Sequence, residues 1–457
     1  MKKIHLLLGL TLLISCGQSQ KKKTPSATLI QKVTIVDVRS GELVENQQVV
    51  IDSGKIKSID TSPKNASDYL AVIDGTGKYL MPGLTEMHAH IPAPTTSRER
   101  IEETLFLYVS NGITTIRGML GHPLHLELRE KAKTGELLSP RIFTSSPSLN
   151  GSSVTSMEEA AEKVTTYKNE GYDFLKIHPG IQLDIFDQIV KTANEVGIPF
   201  SGHVPVDVGI RHALESKYAS IDHVDGFLEG LVPASKNVDP SENGFFGYAF
   251  TPLADTETID ELVQMANENE VWIVPTQSLF ERWFAPITAD ELLKQPEMQY
   301  MQKVTLENWK NVKERYMVQE DFNPQQWQRF DSIRKQLIKK LSDNGHGMLL
   351  GSDAPQLFNV PGFSIHHEIQ GMLGAGMKPI EILRSGTVNP AIFFNMQDVF
   401  GEVREGLTAD LLLIDSNPLE SLTALKQISG VFLKGEWISK VEIDEKLKVI
   451  AENAAKN

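Results

Sequence analysis

Short runs in which apolar and polar residues alternate open the chain's folded part, from Leu29 to about Leu80: KVTIVDV, QQVVIDSGKIKSI and YLAVIDGTGKYL, divided by Ser-Gly, Asp-Gly and Thr-Gly turns. Period-two alternation bounded by turn dipeptides predicts a small antiparallel sheet. The pattern returns in DLLLIDSNPL and GVFLKGEWIS, between residues 410 and 439. Residues 29–81 and 396–445 are therefore expected to build one composite β-sandwich domain from both chain ends. The stretch between, residues 82–395, reads differently. Apolar runs (LTEMHAH, ITTIRGML, RIFTSS, DFLKIH, PFSGHV, SIDHVD, VWIVPT, GMLLGSD) alternate with helical stretches such as SMEEAAEKVTTYKNEG and DIFDQIVKTANEVG. Eight strand-helix units predict an α/β fold, a (β/α)8 TIM barrel whose active site sits at the C-terminal strand ends. A doubly wound sheet is the alternative. The connection between the seventh and eighth strands, about 277–344, is too long for a simple loop. It carries Trp283, Trp309 and Trp327, and predicts a helical insertion over the barrel mouth.

The chemistry-bearing residues fall on the predicted strand ends. In YLMPGLTEMHAHIP, His88 and His90 are two apart, so on a strand both imidazoles face one way and can grip one metal ion. Alone, such a pair is as often a solvated face. The fourth strand, however, carries Lys176, the fifth His203, the sixth His223, and the eighth ends in Asp353. A lysine inside an apolar strand is costly while charged; reaction with carbon dioxide would make it an anionic carbamate able to bridge metals. Taken singly, Lys176 could snorkel to water and each histidine could be a satisfied core residue. All six in register with a barrel's catalytic rim point to a metal site.

Composition narrows the class. The chain has 457 residues, 40% hydrophobic and 23% charged, as in ordinary globular proteins. A formal charge of −14 excludes a phosphate-tracking surface, so no nucleic-acid partner is expected. Self-association into a homo-oligomer stays open. The first residues read as a leader: Lys2 and Lys3, an apolar run from Leu6 to Ile14, then Ser15 and Cys16. The tetrad Leu13-Ile14-Ser15-Cys16 resembles the lipobox of bacterial lipoproteins, and Cys16 is the chain's one cysteine. This implies cleavage after residue 15, lipidation of Cys16, a polar tether over 16–28, and a lipid-anchored location in the bacterial cell envelope, on the periplasmic face or outer membrane. No intramolecular disulfide can form.

PGLTEMHAH, GITTIR, DFLKI, FSGHVP, SIDHVDG and LLGSDAP together resemble the amidohydrolase superfamily of metal-dependent hydrolases. The closing stretch, EILRSGTVNPA through GEVREGLTADLLLIDSNPL, is similar to its imidazolonepropionase-like and Xaa-Pro dipeptidase-like branch. The resemblance implies two divalent metals, His88, His90 and Asp353 holding one, His203 and His223 the other, with carbamylated Lys176 between them. Three positions depart from the common pattern. Glu86 stands where relatives often have Asp, Arg117-Gly118 replaces Arg-Asp, and Ser148-Leu149-Asn150-Gly151 replaces a Gly-Gly-His element.

Zinc suits mixed imidazole and carboxylate ligands, with manganese, cobalt and iron open. The metals would lower the pKa of a shared water to about 7 and polarise a carbonyl, while Asp353 carried the proton to the leaving atom. The expected reaction is hydrolysis of an amide, cyclic amide or ester of a small molecule, as in a dipeptidase or N-acyl amino acid hydrolase. Lactonase or phosphotriesterase chemistry is the alternative. A mononuclear deaminase would need an acid near the fifth strand that His203-Val204-Pro205-Val206 does not supply, and a non-catalytic ligand-binding lipoprotein would have no use for six ligands. Arg117 and Arg282 are candidates to hold a substrate carboxylate, and His366 is a further contact candidate, although packing also suits it and His367. His122, His125 and His178 lie near the mouth as outer candidates.

Overall fold

Residues 26–319 and 322–456 are described by a computed structural model. The expected leader, Cys16 and almost all of the tether lie outside them. No helix among the described residues is long and apolar enough to cross a membrane.

One mixed sheet joins the two ends of the chain. Its strands are β1 (Thr28–Asp37), β2 (Glu42–Asp52), β3 (Lys55–Asp60), β4 (Ala71–Asp74) and β5 (Tyr79–Pro82), followed from the C-terminal part by β14 (Leu411–Ile414), β15 (Ile428–Leu433) and β16 (Glu436–Ser439). The order is β16-β15-β14-β5-β1-β2-β3, with β4 also paired to β1. The sheet rolls back on itself: Ile56 N donates to Leu407 O, and Ala409 N to Gly54 O. Alternation decides what each face buries. Leu411 and Leu413 of β14 join Val33, Val49, Ile56 and Phe432 in the sheet's own core, while Leu412 and Ile414 point into the main core of the molecule. Both faces of β14 are thus apolar by need, with each buried Leu or Ile contributing on the order of 2 kcal/mol.

The second sheet is parallel throughout and follows chain order: β6 (Leu84–Ala89), β7 (Ile113–Gly118), β8 (Arg141–Leu149), β9 (Phe174–Ile177), β10 (Phe200–Gly202), β11 (Ser220–Asp222), β12 (Trp272–Val274) and β13 (Gly347–Met348). These are the eight expected strands, several only two to four residues long. Its two edges meet. Met87 N donates to Leu350 O at 2.8 Å, Asp353 N to His88 O at 2.9 Å and His90 N to Ala354 O at 2.8 Å, so the segment after β13 hydrogen-bonds along β6. Edge backbone groups in a closed sheet find partners without water.

Only Gly83 separates β5 of the small sheet from β6 of the barrel. Its N–H donates to Asp410 O at 2.9 Å, and a Cβ there would lie 2.3 Å from Thr114, so no larger residue fits the junction. Asp410 also accepts from Arg141 at 2.8 Å, at the start of β8. The small sheet therefore packs on the N-terminal ends of the barrel strands, opposite the end that carries the candidate ligands.

Two connections cover the other end. Between β12 and β13 run the helices Gln277–Phe284, Ala289–Leu292, Lys303–Met317 and Pro324–Asn344, with Trp309 and Trp327 buried among them. Between β11 and β12 lies a string of short turns that includes the 3-10 segment Phe245–Leu253. Its Phe246 (φ 54°) and Gly247 (φ 73°) are both left-handed, a combination that no helical or strand periodicity announces.

Candidate metal centre

At the C-terminal end of the barrel the structure brings His88, His90, Lys176, His203, His223 and Asp353 together. One ligand atom from each of His88, His90 and Asp353 can be chosen so that all lie within 4.8 Å of one another. His90 Nε2 is 2.7 Å and His88 Nε2 3.5 Å from Asp353 Oδ1. The rings of His88 and His223 are 4.6 Å apart, and those of His203 and His223 stack at the same separation. Lys176 stands among them with no exposure.

Outer partners orient these groups. Asp225 Oδ2 lies 3.0 Å from His203 Nδ1 and also accepts from Val204 N. Thr276 Oγ1 lies 2.8 Å from His223 Nδ1. Each contact engages Nδ1 and leaves Nε2 as the nitrogen available to a metal, the usual support for a ligating histidine, and His223 Nδ1 also lies 4.0 Å from Asp353 Oδ2. Glu86, buried beneath the pair, accepts from Ser352 N and Ser352 Oγ, both at 2.7 Å, and from His88 N at 3.2 Å. It thereby fixes the strand that carries the histidines to the turn that carries Asp353. That turn needs fixing, because Asp353 has φ 62°, a conformation that costs a non-glycine residue of order 1 kcal/mol or more. Gly351 is required beside it, since a Cβ would sit 2.7 Å from His88 N.

Electrostatics follow burial. Desolvation pushes His88 down to about 4 and His203 to about 3, so both imidazoles are neutral and have lone pairs to offer. Burial would raise Asp353, but His88, the hydrogen bond with His90 and nearby Lys176 outweigh it and hold the carboxyl below the usual range. At Glu86 burial prevails over the hydrogen bonds from Ser352 and His88 and, with Glu368 nearby, lifts the carboxyl to about 8. Desolvation lowers Lys176, which favours the uncharged amine.

The cluster fits a metal on its own chemistry. His88 Nδ1, Lys176 Nζ and Asp222 Oδ2 are buried side-chain atoms without a hydrogen-bond partner, although His88 Nδ1 and Lys176 Nζ come within 3.2 and 3.9 Å of Asp222 Oδ2. Buried polar atoms are seldom left so, and mixed nitrogen and oxygen donors suit zinc and its neighbours. Gly202 makes the space: with φ 130°, a Cβ there would lie 2.3 Å from Ile177 O and 3.1 Å from Lys176 Cδ.

A sequence profile of the amidohydrolase family matches residues 79–438. The chain belongs to that family. An imidazolonepropionase of Idiomarina loihiensis is 23% identical over 431 residues, 91% of this chain and 96% of that protein. Among solved structures, a bottromycin amidohydrolase superposes with a TM-score of 0.72 at 19% identity, covering 94% of this chain and 91% of the other. A Xaa-Pro dipeptidase with bound methionine gives 0.65 at 20% identity, covering 91% and 100%. At such identities the likeness is one of fold, and these neighbours are the reason to treat the closed eight-stranded sheet as a (β/α)8 barrel.

In this amidohydrolase the expected substrate contacts need correcting. Arg117 has no exposure. Its guanidinium is fully engaged inside the barrel, donating to Met87 O at 2.7 Å and to Ser220 Oγ and Asp222 Oδ1 at 2.8 Å each, with the rings of Phe174 and Phe393 close by. It braces the centre from below. Arg282 is likewise buried, donating to Phe358 O, Ser278 O and Gln295 Oε1, and desolvation lowers it to about 10. His366 is buried with Nε2 3.2 Å from Asn111 Oδ1. Every nitrogen of both guanidiniums already makes a hydrogen bond inside the protein, and neither arginine nor His366 is exposed to meet a substrate carboxylate. His367 pairs with Glu297 at 2.6 Å, and His122 caps the helix Pro123–Thr134 through Leu124 N.

Three neighbours of the cluster were not expected. Asp222 links Arg117 to His88, and Asp225 steadies His203; strand alternation assigns Asp222 to the face opposite His223, but His223 has φ 68° and Val224 φ 54°, which breaks the alternation at this point. Phe246 lies over the centre, its ring 5.6 Å from His203, 5.3 Å from His223 and 5.0 Å from Phe280.

Proposed function

We propose that this amidohydrolase is a two-metal hydrolase of small-molecule amides. The observation that carries the reading is Lys176, a buried amine without a hydrogen-bond partner at the meeting point of His88, His203, His223 and Asp353. The neutral amine adds to carbon dioxide, forming an N–C bond and releasing a proton, and the resulting carbamate joins both ligand groups. His88, His90 and Asp353 would hold one metal and His203 and His223 the other, zinc being the first choice. Bound metals of this kind supply an acidified water and polarise the scissile carbonyl. Asp353, ionised and 2.7 Å from His90, accepts the proton of the attacking water and delivers it to the leaving nitrogen. Phe246 presents an apolar face beside the reacting position and keeps bulk water out. Since Arg117 and Arg282 are both occupied, the substrate is recognised less by a free carboxylate than by an apolar group next to the amide.

The test is a panel on full-length protein loaded with zinc: dipeptides, N-acyl amino acids, cyclic amides, acyl lactones and aryl phosphotriesters, with metal content measured in parallel. Turnover of amides bearing an apolar group, with two metals per chain, supports the reading. Lactone or phosphotriester turnover with silent amides, or fewer than two metals, overturns it. The same proposal includes the domain division drawn from the sequence and an envelope location through a lipid on Cys16. Cys16→Ser should shift the protein from membranes to the soluble fraction on fractionation; full retention on membranes removes the anchor.

A further inference from the structure

His178 follows β9 two residues after Lys176, and its N–H donates to Leu149 O at the end of neighbouring β8. Its ring stacks on that of His203, 4.9 Å away at 27°, and is half-buried at the edge of the centre. A chain of hydrogen bonds starting from backbone favours one placement of the proton on its nitrogens. Asn150 Oδ1 accepts from Ser152 N at 2.9 Å and Ser153 N at 3.0 Å, so the oxygen of that amide must face the two N–H groups and Nδ2 must face the other way. Nδ2 donates to Ser148 Oγ at 2.9 Å. Ser148 Oγ lies 2.6 Å from His178 Nδ1, which is the one acceptor its hydroxyl meets among the described residues. An Nδ1 that accepts is unprotonated, and a neutral imidazole of that kind carries its proton on Nε2. No hydrogen bond among the described residues engages Nε2.

We infer that His178 donates a hydrogen bond through Nε2–H to the carbonyl oxygen of the substrate, and that Ser148 and Asn150 are positioning residues that hold it in the donating tautomer. The inference rests on the amide-hydrolase reading above. The oxygen gains negative charge as water adds to the carbonyl carbon, and a donor oriented before the reaction stabilises that charge without reorganising. The loop Ser148-Leu149-Asn150-Gly151, which departs from the resembled pattern, thereby acquires a use: it orients an imidazole supplied by the following strand.

The experiment uses zinc-loaded full-length protein labelled with 15N-histidine, with His178→Ala identifying the His178 resonances. Nitrogen NMR of the wild type should show His178 protonated at Nε2. Asn150→Asp should reverse the tautomer, because a carboxylate accepts the Ser148 hydroxyl and leaves Ser148 Oγ to accept from Nδ1–H. In steady-state assays on the best amide, His178→Ala and Asn150→Asp should each lower kcat by about 100-fold, the loss typical for one such donor, with KM and zinc content little changed. Wild-type His178 protonated at Nδ1, or a His178→Ala enzyme with kcat within about twofold of wild type, overturns the assignment while leaving the hydrolase reading intact. A wild type that turns over no amide refutes the hydrolase reading and this role with it.

Discussion

Lys176 and Arg117 are both basic side chains with no exposure, yet their surroundings assign them opposite fates. Each nitrogen of Arg117 has a partner, Asp222 among them, so its charge is kept. Removing it strands Asp222, which would then be a buried carboxylate without its partner, a loss of about 3–5 kcal/mol. Arg117→Ala is therefore expected to lower the unfolding midpoint sharply in calorimetry; unchanged stability with a raised KM would restore the substrate role that the sequence suggested. Lys176 has no hydrogen-bond partner, so truncation removes no satisfied bond. Lys176→Ala should retain the fold by circular dichroism, lose metal and more than about 100-fold in activity, and recover part of both with a small carboxylic acid. Unchanged metal content in that variant removes Lys176 from the centre. At this scale His88 and His90 were legible because their spacing of two matches a regular strand. Asp222 was not, because the residue after it leaves the strand through a positive φ, and alternation rules fail where the backbone turns.

The helical insertion shows what patterning reads well and what it misses. The length of the connection and its three tryptophans revealed helices between the seventh and eighth strands. The turns around Phe246 are short and aperiodic, so the element that lies over His203 and His223 was invisible in the sequence. The insertion is docked through a polar contact: Ser278 N, at the start of the helix Gln277–Phe284, donates at 2.8 Å to Glu368 Oε2 on the helix Ser364–Gly374. Burial raises the Glu368 carboxyl from an ordinary 4.5 to about 7, against the hydrogen bonds it receives from Ser278 and Gln277. The folded chain thus binds more protons than the unfolded chain between those pH values, and this contribution to stability is complete below about 4.5 and lost as pH rises through about 7. Glu368→Gln keeps an oxygen for Ser278 N and removes the titration. Thermal unfolding should find variant and wild type alike near the lower of those values, with the variant more stable above the higher one by at most roughly 3 kcal/mol. Parallel profiles across the range would show that Glu368 is ionised in the fold throughout.

For the whole molecule, the order of apolar runs was enough to anticipate eight parallel strands and a small sheet shared by both ends of the chain. How that sheet rolls over its own core depends on contacts such as Ile56 with Leu407, remote in sequence, which no local pattern encodes. Beneath the candidate ligands lie Glu86, Arg117, Ser220 and Asp222, all without exposure, and the small sheet packs on the strand ends beyond them. Among the described residues the barrel is therefore floored on that side, and substrate and products are expected to share the opposite end. Both fragments of a cleaved substrate have to leave by the path the next substrate uses, with Phe246 at the threshold. A fragment that lingers there blocks the following molecule rather than slowing the reaction behind it. Initial-rate measurements with added product should accordingly give competitive inhibition, strongest for the more apolar half; a noncompetitive pattern would mean that a second exit exists.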